Sequence, residues 1–168
     1  LDVRLASFAL AEPFSSSVVK VDAVHLVLLD LTTGGGGSGL SYGFGFARRD
    51  AAMIAGAVRE LSDIAIGQDV YRTAALWQRM WDALAFSGRG GAGIAALSLV
   101  DMAAWDAKAR HLGVPMATLL GGARESIPAY GSAGSLALSP SELAAEMAGF
   151  AAAGYRPGKL KLSSSIAG

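Results

Sequence analysis

The chain has 168 residues and a mass of 17.1 kDa, with 52% hydrophobic and 17% charged side chains. That composition describes a globular chain long enough to bury a core and excludes an intrinsically disordered one. The 14 basic and 14 acidic side chains balance, which argues against a nucleic-acid or anionic-membrane footprint. The absence of cysteine excludes disulfides, Cys–zinc sites and thiol nucleophiles. No apolar run reaches the ~20 residues of a membrane span, and the stretch from Gly90 to Val100 is glycine-rich and stops at Asp101. The opening LDVRLASFALAEPF alternates and carries Asp2 and Arg4, unlike a signal peptide. A cytoplasmic protein is expected, with part of its N-terminus missing, since the first residue is Leu.

Val3 to Leu10 alternates as a strand does, and Ala11 to Ser17 is expected to be a loop from its Pro and Ser content. Val18 to Leu31 is predicted as a long strand, with Val19, Val21, Ala23, His25, Val27 and Leu29 on one face. Gly34–Gly37 breaks the chain, and Leu40 to Phe46 returns as a third strand of an antiparallel meander. The period then changes to about 3.6. Met53, Ile54, Ala57, Val58, Leu61 and Ile64 form one helical stripe, and Val70, Ala74, Trp77, Trp81 and Leu84 a second. Ser87–Gly93 reads as a flexible joint. Ile94 to Ala109 reads as a buried helix, stopped by Gly113 and Pro115. Ile127 to Ser132 is predicted as a short buried strand. Ser139-Pro140-Ser141-Glu142 is a capping box opening a helix over Glu142–Ala153, and Lys159 to Ser163 is predicted as another strand. Strand, helix and strand at this spacing make a βαβ unit with a parallel pair. Two strands cannot close a parallel sheet, so more β/α units are expected after Gly168.

Among groups able to carry chemistry, Lys159 and Lys161 come first. Two residues apart on a strand, they point the same way. In a sheet covered on both faces, adjacent cations repel, which favours a neutral amine able to take a proton from carbon. On an exposed edge strand, the same two lysines would simply guard the edge. The glycine stretch from Gly34 to Gly39 precedes a strand rather than a helix, so it reads as a hairpin and not as a phosphate loop. Ser17-Val18-Val19-Lys20 matches S-x-x-K but enters a Val-rich strand instead of a helix. His25 reads as a satisfied core histidine, since one histidine without partners makes no metal site, and His111 as a cation at a helix C-terminus. Asp101 and Asp106 lie on different faces of their helix and are expected to be capped or salt-bridged. Trp77, Met80 and Trp81 are core or interface residues.

The stretch Arg89 to Gly122 carries Ala104-Trp105-Asp106, Leu112-Gly113-Val114-Pro115 and Leu119-Leu120-Gly121-Gly122 in order. Arg124 to Ser132, RESIPAYGS, and the later GYRPGKLKLS follow. With these motifs the chain resembles the mandelate racemase and muconate-lactonizing enzyme branch of the enolase superfamily over essentially its whole length. The resemblance implies an α+β capping domain over residues 1–122, a three-stranded antiparallel meander plus helices. The start of a (β/α) TIM-type barrel over residues 123–168 would follow.

The resemblance further implies that Lys161 is the general base acting on the proton α to a substrate carboxylate. Lys159 would ease deprotonation of Lys161 and contact the carboxylate. A divalent metal, normally Mg2+, would hold the carboxylate and stabilise an enediolate, in keeping with the superfamily's known use of a Lys or His base with Mg2+. Glu12 to Ser17 corresponds to the family loop that closes over the barrel mouth, with Phe14 as a substrate-facing side chain or a bare surface aromatic. Gly158 and Ser163 depart from the family, which usually has an apolar residue and Gly there. The family's three acidic metal ligands end later barrel strands, and a whole barrel takes about 250 residues, so the ligands and the second base are expected beyond Gly168. Without them the chain by itself is expected to be inactive.

The expected activity is that of a racemase, or a dehydratase of hydroxy or sugar acids. Gly45-Phe46, where the muconate-lactonizing subgroup often has Gly-Glu, leans toward mandelate-racemase-like or acid-sugar dehydratase members. The expected partners are a small carboxylate substrate and further copies of the chain, with no nucleic acid and no membrane. The alternative is a non-catalytic capping or oligomerisation module, or a decayed relative lacking the metal site.

Overall fold

The structure, a computed structural model, describes residues 1–15 and 19–161. Its elements in order are β1 (Asp2–Ser15), β2 (Lys20–Thr32), β3 (Ser38–Gly45), α1 (Arg48–Ala65), α2 (Thr73–Ala83), α3 (Gly91–Leu112), α4 (Met116–Leu119), β4 (Gly131–Ser132), α5 (Pro140–Ala152) and β5 (Gly158–Lys159). They fall into two compact units. One comprises Leu1–Phe8 and Val24–Gly122, the other Ala9–Ala23 and Ala123–Gly168.

The first unit holds the main core. The strands run in the order β1-β2-β3, with β2 and β3 antiparallel from His25 opposite Gly45 to Thr32 opposite Ser38. Across β1 and β2, Arg4 pairs with Asp30 and Ser7 Oγ lies 2.8 Å from His25 Nδ1, so His25 has a hydrogen-bond partner as expected but is half-buried and not part of the core. The turn closes through Thr33, whose N–H donates to Gly37 O at 2.8 Å. Helix α3 supplies the centre, burying Ala96, Leu97, Leu99, Val100, Ala103, Ala104, Ala107 and Ala109. Val27 and Leu29 from β2, Val58 and Leu61 from α1, and Leu76 and Met80 from α2 join the same core. Ser41 is buried on β3, and its hydroxyl donates to Leu99 O at 2.7 Å, so this polar group enters the core with a partner. α3 ends on Gly113 in the left-handed conformation, and Val114 N–H donates to Ala109 O at 3.1 Å.

Several sequence expectations change. In α2 the buried residues are Thr73, Leu76 and Met80, while Ala74 is exposed and Trp77 and Trp81 are half-buried, so the expected stripe is out of phase; Gly91–Gly93, expected in a flexible joint, open α3. Residues 11–15 belong to β1 and not to a loop; β1 is an edge strand, the place in a sheet where proline is tolerated. Ser16 and Ser17, the rest of that expected loop, lie outside the described residues. In α1 the buried face is Ala51, Ala55, Val58, Leu61 and Ser62, while Met53 is 57% exposed. Small residues set the close-packed face there, and hydropathy alone shifted the phase. The expected buried strand Ile127–Ser132 shrinks to Gly131–Ser132, with Ile127 and Tyr130 exposed. The capping box stands as read. Ser139 Oγ accepts from Glu142 N–H at 3.3 Å, and Glu142 Oε2 accepts from Ser139 N–H at 2.8 Å. At the start of α1 only the return half of such a box forms, Ala47 N–H donating to Asp50 at 3.2 Å, because alanine offers no oxygen.

Asp106 accepts from Leu40 N–H and pairs with Arg110, both at 2.8 Å. Asp101 has no ion pair among the described residues; it borders a hollow with Trp77 and Trp105, and burial pushes its carboxyl up. Trp77 and Trp81 stack with ring centres 5.1 Å apart, and the Arg89 guanidinium lies 4.4 Å from the Trp81 ring centre. His111 meets the Tyr71 ring edge-to-face at 5.6 Å near the end of α3.

Candidate active site in the second unit

In the second unit β4 and β5 pair in parallel, Gly131 opposite Gly158 and Ser132 opposite Lys159. Helix α5 lies close against this pair, and glycine makes the approach possible. A Cβ on Gly131 would come within 2.3 Å of the Phe150 ring. A Cβ on Gly158 would meet Met147 Sδ at 3.1 Å, a tight contact that a small shift of the methionine would relieve. Phe150 also meets Tyr155 edge-to-face at 6.0 Å.

Beside the strand pair opens a hollow of about 430 Å3, bordered by Glu12, Phe14, Ser132, Ala133, Glu146 and Lys161 among others. The Lys161 ammonium lies 4.9 Å from the centre of the Phe14 ring and donates to Ala133 O at 3.4 Å. Gly134 N–H donates to Glu146 Oε2 at 2.9 Å. β1 joins the turn through Ser15, whose N–H donates to Ser135 Oγ and whose carbonyl accepts from Leu136 N–H, both at 3.0 Å. Two hollows of about 430 and 450 Å3 in the first unit are lined by no lysine or histidine.

Of the three residues named from sequence, Lys161 and Phe14 therefore meet. Phe14 is half-buried, held under a cation. Lys159, two residues earlier, is exposed and does not line the hollow. Glu12 and Glu146 were not singled out from sequence. Glu146 stands four residues after the capping Glu142, hence on the same helix face, and that spacing was the available signal. The strand expected over Lys159–Ser163 is found only at Lys159: β5 ends there, Leu160 and Lys161 follow it outside the ladder, so the two lysines do not share a strand face, and Leu162 and Ser163 lie outside the described residues.

A divalent cation does not fit the described residues. Among them no three Asp, Glu, His or Cys side chains converge. The two acids of the hollow share it with an ammonium, and Glu146 is already engaged by a backbone N–H.

Residues 2–121 match the N-terminal domain of mandelate racemase / muconate lactonizing enzyme. The chain belongs to that family. The meander-plus-helix arrangement of the first unit is the family's capping fold. The chain is 34% identical over 168 residues to D-galactarolactone cycloisomerase of Agrobacterium fabrum, covering 97% of this chain and 43% of that protein. A mandelate racemase/muconate lactonizing enzyme-like protein from Rubrobacter xylanophilus superposes with a TM-score of 0.85 at 33% identity, over 96% of this chain and 44% of that one. L-talarate/galactarate dehydratase from Salmonella typhimurium, liganded with Mg and L-lyxarohydroxamate, superposes with a TM-score of 0.87 at 26% identity, over 98% and 44%. The chain thus spans less than half the length of each. No helix among its described residues is long and apolar enough to cross a membrane.

Proposed function

We propose that the protein abstracts the proton α to the carboxylate of a hydroxy acid or sugar acid, with Lys161 as the base. The observation that carries this reading is the half-buried Lys161 amine at the border of a 430 Å3 hollow, fixed between a carbonyl and an aromatic ring. In the step, the α C–H bond breaks and an N–H bond forms on Lys161. The electron pair moves into the carboxylate as an enediolate, from which racemisation or loss of a β-hydroxyl follows. Its cationic form then faces the negative charge that has grown on the substrate, which is where electrostatic stabilisation acts. Lys159, exposed two residues before Lys161, steers the anionic substrate toward it.

The relatives that are sugar-acid dehydratases and cycloisomerases support this reaction class. Mg2+ is the proposed cofactor, since family structures bind it, with ligands other than the described residues. The proposed domain division is a capping domain over residues 1–122 and barrel units from 123, in a cytoplasmic homo-oligomer.

The test is Mg2+-dependent deuterium exchange at the α-carbon of hydroxy and sugar acids by the full-length protein. Lys161→Ala is expected to abolish exchange with the fold intact, and retention of most exchange would remove Lys161 from the mechanism. Lys159→Met is expected to raise KM with kcat little changed. A second reading, a non-catalytic oligomerisation module, is favoured by the outward row Leu40, Tyr42 and Phe44 on β3, continued by Phe46 just after it, all exposed. Absence of exchange in folded protein, with self-association, would favour it.

A further inference from the structure

We propose that Glu146 is a positioning residue for Lys161, acting through the single peptide group between Ala133 and Gly134. The inference rests on Lys161 being the base. The Ala133 carbonyl that accepts from Lys161 Nζ at 3.4 Å and the Gly134 N–H that donates to Glu146 Oε2 at 2.9 Å belong to the same planar amide. A carboxylate on the N–H end draws electron density toward the oxygen end, because hydrogen bonds in a chain polarise one another. The carbonyl becomes a better acceptor for the lysine, and its plane is pinned at both ends. An amine giving one N–H to a fixed carbonyl holds its lone pair off that carbonyl, which orients it for the substrate.

The surroundings make this amide a rigid part. Gly134 has φ +80°, and a Cβ there would meet Leu160 Cα and Lys161 N at 3.3 Å. The turn is therefore seated on the backbone that carries Lys161, in a conformation other residues rarely adopt. α5, which carries Glu146, is fixed over β4 by the Gly131–Phe150 approach. The other charged groups near Lys161 are Glu12 on β1, which borders the same hollow, and Lys159 on β5.

The experiment compares Glu146→Ala, Glu146→Gln and Lys161→Ala in the full-length protein, following α-carbon exchange across pH. Glu146→Ala is expected to lower kcat by about 10- to 100-fold, the scale of a misplaced catalytic group, with KM within about two-fold. Glu146→Gln keeps an acceptor for Gly134 N–H, so kcat should recover to within about three-fold of wild type. A wild-type kcat in Glu146→Ala, beside an inactive Lys161→Ala, would overturn this inference alone. Exchange persisting in Lys161→Ala would overturn the underlying reading and this inference with it. Where Glu146→Ala does not fold, Glu146→Gln is compared with Glu146→Met, which keeps the length but offers no good acceptor, and equal kcat in the two overturns the proposal.

Discussion

The Lys161 ammonium lies 4.9 Å from the centre of the Phe14 ring, so a β1 residue forms one wall around the proposed base. A cation on an aromatic face at partial exposure gains about 0.5–1 kcal/mol. Phe14→Leu keeps the bulk and removes that attraction, leaving the lysine less well held. We expect a two- to five-fold lower kcat for α-carbon exchange, with Phe14→Tyr close to wild type. Equal rates in the Leu and Tyr variants would show that the ring contributes only volume.

The cap of α5 makes a pH-dependent contribution. Hydrogen bonds from the Ser139 hydroxyl and from its backbone N–H hold the Glu142 carboxyl below its usual range. A carboxyl lowered in the folded state gives stability that is full above its unfolded value, about 4.3, and is lost as pH falls through the folded value. Glu142→Ala should therefore be less stable than wild type at neutral pH, and the two urea midpoints should converge in acid. Ser139→Ala should cost about 1 kcal/mol near neutrality.

Asp101 behaves in the opposite sense. Burial beside Trp77 and Trp105 raises its carboxyl, so the folded state binds the proton more tightly than the unfolded chain. Stability then falls as pH rises through the interval above the unfolded value of about 3.9. Asp101→Asn is expected to raise Tm at neutral pH, and the gain should vanish at the acid end of a pH series. A lower Tm in the Asn variant at neutral pH would mean that the carboxylate has a partner.

The phase of α1 can be checked directly. Val58 is fully buried and Met53 is 57% exposed. Val58→Ala should cost at least 1 kcal/mol, because truncating a fully buried aliphatic side chain leaves a cavity. Met53→Ser should stay within about 0.5 kcal/mol.

Much of this architecture was legible because it is written in local patterns. Alternation marked the β2 face of Val21, Val27 and Leu29, and the Ser139–Glu142 spacing marked the cap of α5 to the residue. The motifs of the Arg89–Gly122 stretch point to the family from sequence alone. What stayed hidden depends on groups far apart in sequence or on backbone atoms. The α1 phase was missed because Ala51 and Ala55 face the core through small size rather than hydropathy. Pro13 suggested a loop because sequence does not say which strand forms a sheet edge. Lys161 and Phe14 were each visible, yet their meeting was not. Glu146 reaches the lysine through a backbone amide, which leaves no trace in side-chain spacing.

All three tryptophans, Trp77, Trp81 and Trp105, sit on α2 and α3 of the first unit, while tyrosines occur in both. The protein thus carries its own optical label on one unit. Emission excited beyond the tyrosine band follows the surroundings of the α2–α3 indoles and is silent on β4, α5 and β5. Far-UV circular dichroism weighs both units together. Overlaid melting curves from the two signals would reveal whether the proposed active-site unit unfolds with the tryptophan-bearing one or ahead of it, with no engineered probe.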